Sequence, residues 1–137
     1  MQTFLPYSDF TDSVKCLDYK RLGKQRVEAM QTYNQITKGK GGYPYHPVNK
    51  MWQDYPDALA YYHNLCINEW IERGYKNTME YLPVQIKDKD LERLKLPHWL
   101  GNEQLHASHR SNLLRKDYAF YSQYGWQEPT NMPYIWL

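Results

Sequence analysis

Three stretches of this chain carry side chains able to do chemistry. The first is LDYKRLGKQRVE, residues 17–28. On a helix, Asp18, Arg21, Gln25 and Glu28 fall at i, i+3, i+7 and i+10 and share a face. Lys20 and Lys24 form an adjacent stripe, and Arg26 continues the basic run. A carboxylate set among fixed cations can act as general acid or base, or steady a cationic intermediate. The same cations can hold phosphates. The spacing also fits an ion-pair ladder on a wet helix surface, which is chemically silent.

The second stretch is HASHR, residues 106–110, followed by Arg115 and Lys116. His106 and His109 are three apart and share a helical face. Zinc can use such a pair, but no further ligands stand at diagnostic spacing; His46 and His63 are distant. Neutral histidine bonded to phosphate or to a base fits better, and a plain polar helix face fits as well. The third stretch is YPYHP, residues 43–47. Its rings and prolines make a rigid loop with stacking surfaces, suited to a base taken out of a duplex. The same tyrosines can simply pack on the core.

The elements that must position these groups read as helices. Residues 1–7 form a short arm. Ser8 or Asp9 can cap a helix carrying Phe10, Val14 and Leu17, and the pattern continues through Leu22, Ala29, Met30, Tyr33 and Ile36. Gly23 inside it marks a break or a close approach. Gly39, Gly41 and Gly42 end it. Pro47 opens a short helix with Met51 and Trp52. Another starts at Pro56, with a stripe of Leu59, Tyr62, Cys66, Ile67, Trp70 and Ile71, and ends at Gly74. Residues 75–98 are polar, with DKDLERLK suggesting a helical turn or two. Asn102 caps a helix with Leu105, Leu113 and Leu114 facing in. Tyr118, Phe120, Tyr121 and Tyr124 make a short aromatic helix, and a tail with Trp126, Tyr134 and Trp136 should pack back on the rest. No period-2 strand stands out. The expected fold is all-α, a single compact domain over 1–137, with about four to six helices, long loops and an aromatic C-terminal tail.

Composition bounds the function. The chain has 137 residues, a net charge of +2 and 16% aromatic residues, which argues for a packed core rather than disorder. No apolar run approaches the roughly 20 residues of a membrane span, and no secretion signal is visible. Cys16 and Cys66 read as buried free thiols in a reducing compartment. The net charge is too mild to imply nucleic acid. However, the basic runs 15–26 and 106–116 in a nearly balanced chain suggest one concentrated positive face. There is no GxxxxGK[ST], GxGxxG, HExxH or CxxC motif, so those enzyme classes lose support.

The order of features resembles the pyrimidine-dimer DNA glycosylase family, the endonuclease V type of phages and some bacteria. The resemblance rests on the short arm followed at once by LDYKRLGKQRVEAMQ, the loop YPYHPVNKMW, the long helix ending NEWIERGYKNTM, and the tail with DYAFYSQYGW and PYIWL. A bacterial branch with the patterns LDxxRLGKQRVE, HPxxxMW and HRSNLLRKD is nearer still.

The resemblance implies an N-terminal amine attacking the sugar C1′ of a damaged nucleotide, with a Schiff base, loss of the base and strand cleavage by β-elimination. It also implies a helix glutamate assisting and arginines holding phosphates. Here Gln2 follows Met1, and a bulky second residue should leave Met1 in place, so either the amine of Met1 is the nucleophile or the lyase mechanism is absent. An ungapped comparison sets Gly23 or Lys20 where the family has its glutamate. Asp18 or Glu28 must serve instead, and Glu28 is preferred.

The expected roles follow. Met1 supplies the amine and Glu28 or Asp18 the carboxylate. Lys20, Arg21, Lys24, Arg26, Arg110, Arg115 and Lys116 bind phosphates, and His46 and His109 contact the nucleotide or the abasic sugar. No metal or other cofactor is expected. The partner is double-stranded DNA, with no membrane and no obligatory protein partner; the chain is expected to be a monomer in the cytoplasm, nucleoid-associated or in a phage host. Competing readings are a non-catalytic DNA-binding module, an enzyme of free nucleotides or nucleosides, and a zinc protein.

Overall fold

The computed structural model describes residues 1–84 and 93–137; most of the DKDLERLK turn (88–92) lies outside the described residues. Six α-helices and no strand occur among the described residues. They are α1 (Phe10–Lys15), α2 (Tyr19–Lys38), α3 (Pro47–Trp52), α4 (Pro56–Glu72), α5 (Glu103–Lys116) and α6 (Tyr118–Tyr121), with a 3-10 turn at Ser122–Tyr124. The fold is all-α, as the periodicities predict. None of the described helices is long and apolar enough to cross a membrane.

The helix boundaries follow from capping chemistry. The Asp9 carboxylate accepts the Asp12 N–H and starts α1. Proline opens both α3 and α4. The Asn102 side chain accepts the Leu105 N–H at the start of α5. Gly39 closes α2 at φ 65°, a conformation that costs glycine little.

The long helix expected from Phe10 to Ile36 is two helices. The break falls at Cys16–Asp18, and Gly23 is not a break at all. Leu17 is fully buried at the join. Tyr121 holds the new start: its hydroxyl accepts the Asp18 N–H at 2.9 Å and donates to the Asp18 carboxylate. Gly23 is instead a close approach. A Cβ there would stand 3.2 Å from the Trp70 ring, so glycine lets α4 pack tightly on α2.

The core runs through all of these elements, with Leu5, Leu17, Leu22, Trp52, Leu59, Tyr62, Leu105, Leu113 and Tyr121 excluded from solvent. Most of the α4 stripe faces in, but Ile71 at its end is exposed. Cys16 and Cys66 are buried and free. Burial pushes the Cys16 thiol up to about 12 and the Cys66 thiol further still. The tail packs back as expected. Trp126 stacks on Tyr121 and donates to the Tyr7 hydroxyl at 3.0 Å. Tyr134 lies against Phe4 and His109, and Trp136 meets His46 edge-on.

Candidate active site

The N-terminal arm has no regular structure, yet its polar groups are held by side chains from α2, α3, α4 and α5. Gln2 N–H donates to Glu28 Oε2 at 2.8 Å. Gln25 of α2 donates to the Gln2 carbonyl at 2.7 Å and accepts the Phe4 N–H at 2.8 Å. The Tyr62 hydroxyl of α4 lies 2.7 Å from both the Phe4 carbonyl and Gln25 Oε1. Trp52 of α3 donates to the Thr3 hydroxyl at 2.9 Å. A buried arm must have its polar groups satisfied, and here buried side chains do what a neighbouring strand would otherwise do.

The HASHR motif belongs to this clamp. His109 Nδ1 accepts the Leu5 N–H at 2.9 Å, which fixes a neutral ring with its proton on Nε2. His106 Nδ1 lies 2.7 Å from the Leu5 carbonyl, while its Nε2 accepts the Gly101 N–H at 2.9 Å. It is therefore neutral with the opposite tautomer. Burial, then the neighbouring His106 and Arg110, lower His109 to about 3. Arg110 donates to the Pro6 carbonyl at 2.7 Å, to Glu128 at 2.5 Å and to Glu103.

The arm thus ends in a cleft of about 180 Å³. Met1, Gln2 and Phe4 line it from the arm; Arg21, Lys24, Gln25 and Glu28 line it from α2; Lys116 and Tyr134 close it. Charge is concentrated here. Partial burial and then Arg21, Arg115 and Lys24 lower Lys116, with Glu28 opposing them. Burial raises the Tyr134 hydroxyl, while Arg115 and Arg21 oppose the rise and Glu28 adds to it. His46 stands within the field of the Met1 ammonium, which together with burial lowers its pKa. Its Nδ1 accepts the Val48 N–H at 3.1 Å and caps α3. Met1, one carboxylate and a rim of cations therefore line one small cleft.

The structure brings together Met1, Glu28, Arg21, Lys24 and Lys116, with Arg115 and His46 at the edge. Lys20 is exposed on the neighbouring stripe, outside the lining. Four expected site residues sit elsewhere. Asp18 is 6% exposed, held by Tyr121 and by Arg21 at 3.3 Å, so it is a helix-start residue. Arg26 lies 4.1 Å over the Trp70 ring and donates to Asn77 at 3.0 Å, on the α4 side of α2. His109 is 1% exposed and serves the arm from within. Arg110 is 9% exposed with its donors on the arm and two glutamates, so it is not open to phosphate. Tyr134 and Phe4 are cleft walls, and Gln25 and Tyr62 clamps, that the sequence patterns do not announce. Gln25 stood on the right helix face; the other three carried no local signal.

A cleft lined by Met1, Glu28 and the cations Arg21, Lys24 and Lys116 has the charge to take an anionic group. The family model described as pyrimidine dimer DNA glycosylase matches residues 1–82, which hold the arm and α1 to α4. The chain belongs to this family, and is by that membership a DNA glycosylase. No curated protein and no solved structure matches the chain.

Proposed function

We propose that this protein removes a damaged or modified pyrimidine from duplex DNA, with the Met1 amine as nucleophile and Glu28 as its carboxylate. The observation that carries the reading is the shared cleft of Met1, Glu28, Arg21, Lys24 and Lys116. The amine attacks C1′ of the sugar. The N–C1′ bond forms as the glycosidic bond breaks, and the base leaves with the bonding pair. The attacking nitrogen loses a proton, which Glu28, lining the same cleft, takes up. Ring opening then gives the iminium, whose positive charge the same carboxylate steadies. In the lyase half, a proton leaves C2′ and the 3′-phosphate departs, cutting the strand. Hydrolysis of the imine returns the amine.

The arm clamp supplies the position. A flexible N-terminus holds its amine nowhere in particular, and pre-paid ordering is a large share of what a bimolecular attack needs. Arg21, Lys24, Lys116 and the neighbouring Arg115 face the phosphates that flank the reacting sugar.

The test is borohydride reduction of the full-length protein with duplexes that are UV-irradiated, abasic or carry hypermodified bases. Reduction should trap a covalent adduct on at least one duplex, and peptide mapping should place it on Met1. Salt-sensitive binding with neither adduct nor released base would favour the non-catalytic module.

A further inference from the structure

Tyr45 is 97% exposed, more than any other large apolar side chain described, and Tyr43 beside it is 61% exposed. Flexible loops often carry such rings, but this loop is braced. The Tyr43 carbonyl accepts the His46 N–H at 3.1 Å and the Asn49 side-chain amide at 2.6 Å. Pro44 and Pro47 fix the backbone on either side of the ring. Gly42, at φ 62°, sits so close to α2 that a Cβ would stand 3.3 Å from the Gln31 Cβ. His46 is anchored by its contact with Trp136. A braced loop thus holds a large ring out in water with nothing packed on it.

Its place gives the ring a partner. Gln31 is one turn beyond Glu28 on α2, so the loop stands at the C-terminal side of the cleft. Lys20, Arg21 and Lys24 lie at the other side, on the same helix. From Lys20 to Gln31 the helix rises about 16 Å, the span of a few nucleotides of one strand. His46, the next residue after Tyr45, lies within the field of the Met1 ammonium. A strand whose phosphates follow the cations past the cleft therefore brings its next bases to Tyr45.

We propose that Tyr45 stacks on a DNA base beside the nucleotide being processed, filling or propping the gap that a displaced nucleotide leaves. Every base offers a π-face, so such a ring favours distorted duplex without reading sequence. This rests on the glycosylase reading above. It adds a positioning residue that makes no contact with the reacting atoms.

The test uses full-length protein and a duplex carrying a tetrahydrofuran abasic analogue flanked by a fluorescent aminopurine base. Wild-type binding should change the fluorescence. Tyr45→Ala should lose that change and bind the abasic duplex about tenfold more weakly, with unaltered affinity and salt slope on intact duplex. Tyr45→Phe should behave as wild type. Glu28→Gln, which removes the proposed chemistry, should keep the fluorescence change. The inference is overturned if Tyr45→Ala matches wild type on the abasic duplex, or weakens intact and abasic binding equally. If wild type forms no borohydride adduct and shows no preference for damaged duplex, the glycosylase reading falls and takes this one with it.

Discussion

The backbone N–H of Gln2 donates to the Glu28 carboxylate at 2.8 Å, across 26 residues of chain. This bond ties the peptide unit next to the terminal amine to the acid that would serve it. It makes Glu28 both a brace for the arm and a candidate participant in chemistry. The two duties can be separated, because a glutamine retains the acceptor oxygen and drops the charge.

Glu28→Gln should therefore leave the fold and DNA binding in place while slowing base release. A lost proton acceptor in such a step costs about 10²–10⁴ in rate. Single-turnover base release beside a thermal melt checks this. Equal losses in melting temperature and rate would assign Glu28 to bracing alone.

Gln25 is the central clamp, bonded to Gln2, Phe4 and Tyr62. Gln25→Leu strands two buried polar groups, the Gln2 carbonyl and the Phe4 N–H, while Tyr62 keeps the Phe4 carbonyl as acceptor. It should cost about 3 kcal/mol, or about 10 °C in Tm. Hydrogen exchange should quicken first at the Phe4 amide. Loss of activity should exceed the unfolded fraction at working temperature, because the arm frays before the helices melt.

Phosphate binders and clamp cations should part company in salt titrations. Lys24→Ala or Lys116→Ala should flatten the dependence of log affinity on log salt by about one. Arg110→Ala should leave that slope unchanged and instead destabilise the fold by about 3 kcal/mol, since the part-buried Glu128 carboxylate and the Pro6 carbonyl lose their partner, the exposed Glu103 pair adding little. A changed slope for Arg110→Ala in folded protein would return it to the binding set.

Acid should weaken the fold through His109. Its folded value of about 3 lies below the ordinary 6.5, so below that ordinary value the unfolded chain binds more protons than the folded one. The contribution is intact above pH 6.5 and is lost progressively as pH drops toward 3. His63 and His106, also lowered by burial, add to the slope. Urea unfolding between pH 4 and 7 should show His109→Gln losing part of this dependence.

Much of the site was legible because helix periodicity is local. Arg21, Gln25 and Glu28 had to share a face once the helix was given, and Lys24 had to border it. The break at Cys16–Asp18 was not legible. Leu17 keeps the apolar spacing, no glycine or proline interrupts, and the cause is a tyrosine 103 residues away. HASHR shows the other limit. His109 and Arg110 have the residue types of a phosphate site and also those of a backbone clamp, and only burial against Leu5 and Pro6 decides between them. Tyr134 reaches the cleft by long-range packing of the tail on Phe4, which no spacing announces.

The most direct measurement is the mass of the N-terminal peptide after borohydride reduction with UV-irradiated, abasic and modified-base duplexes. Met1 should carry the sugar remnant, and Glu28→Gln should reduce its yield on base-bearing substrates. An adduct on a lysine side chain, or base release with Met1 always unmodified, would contradict it.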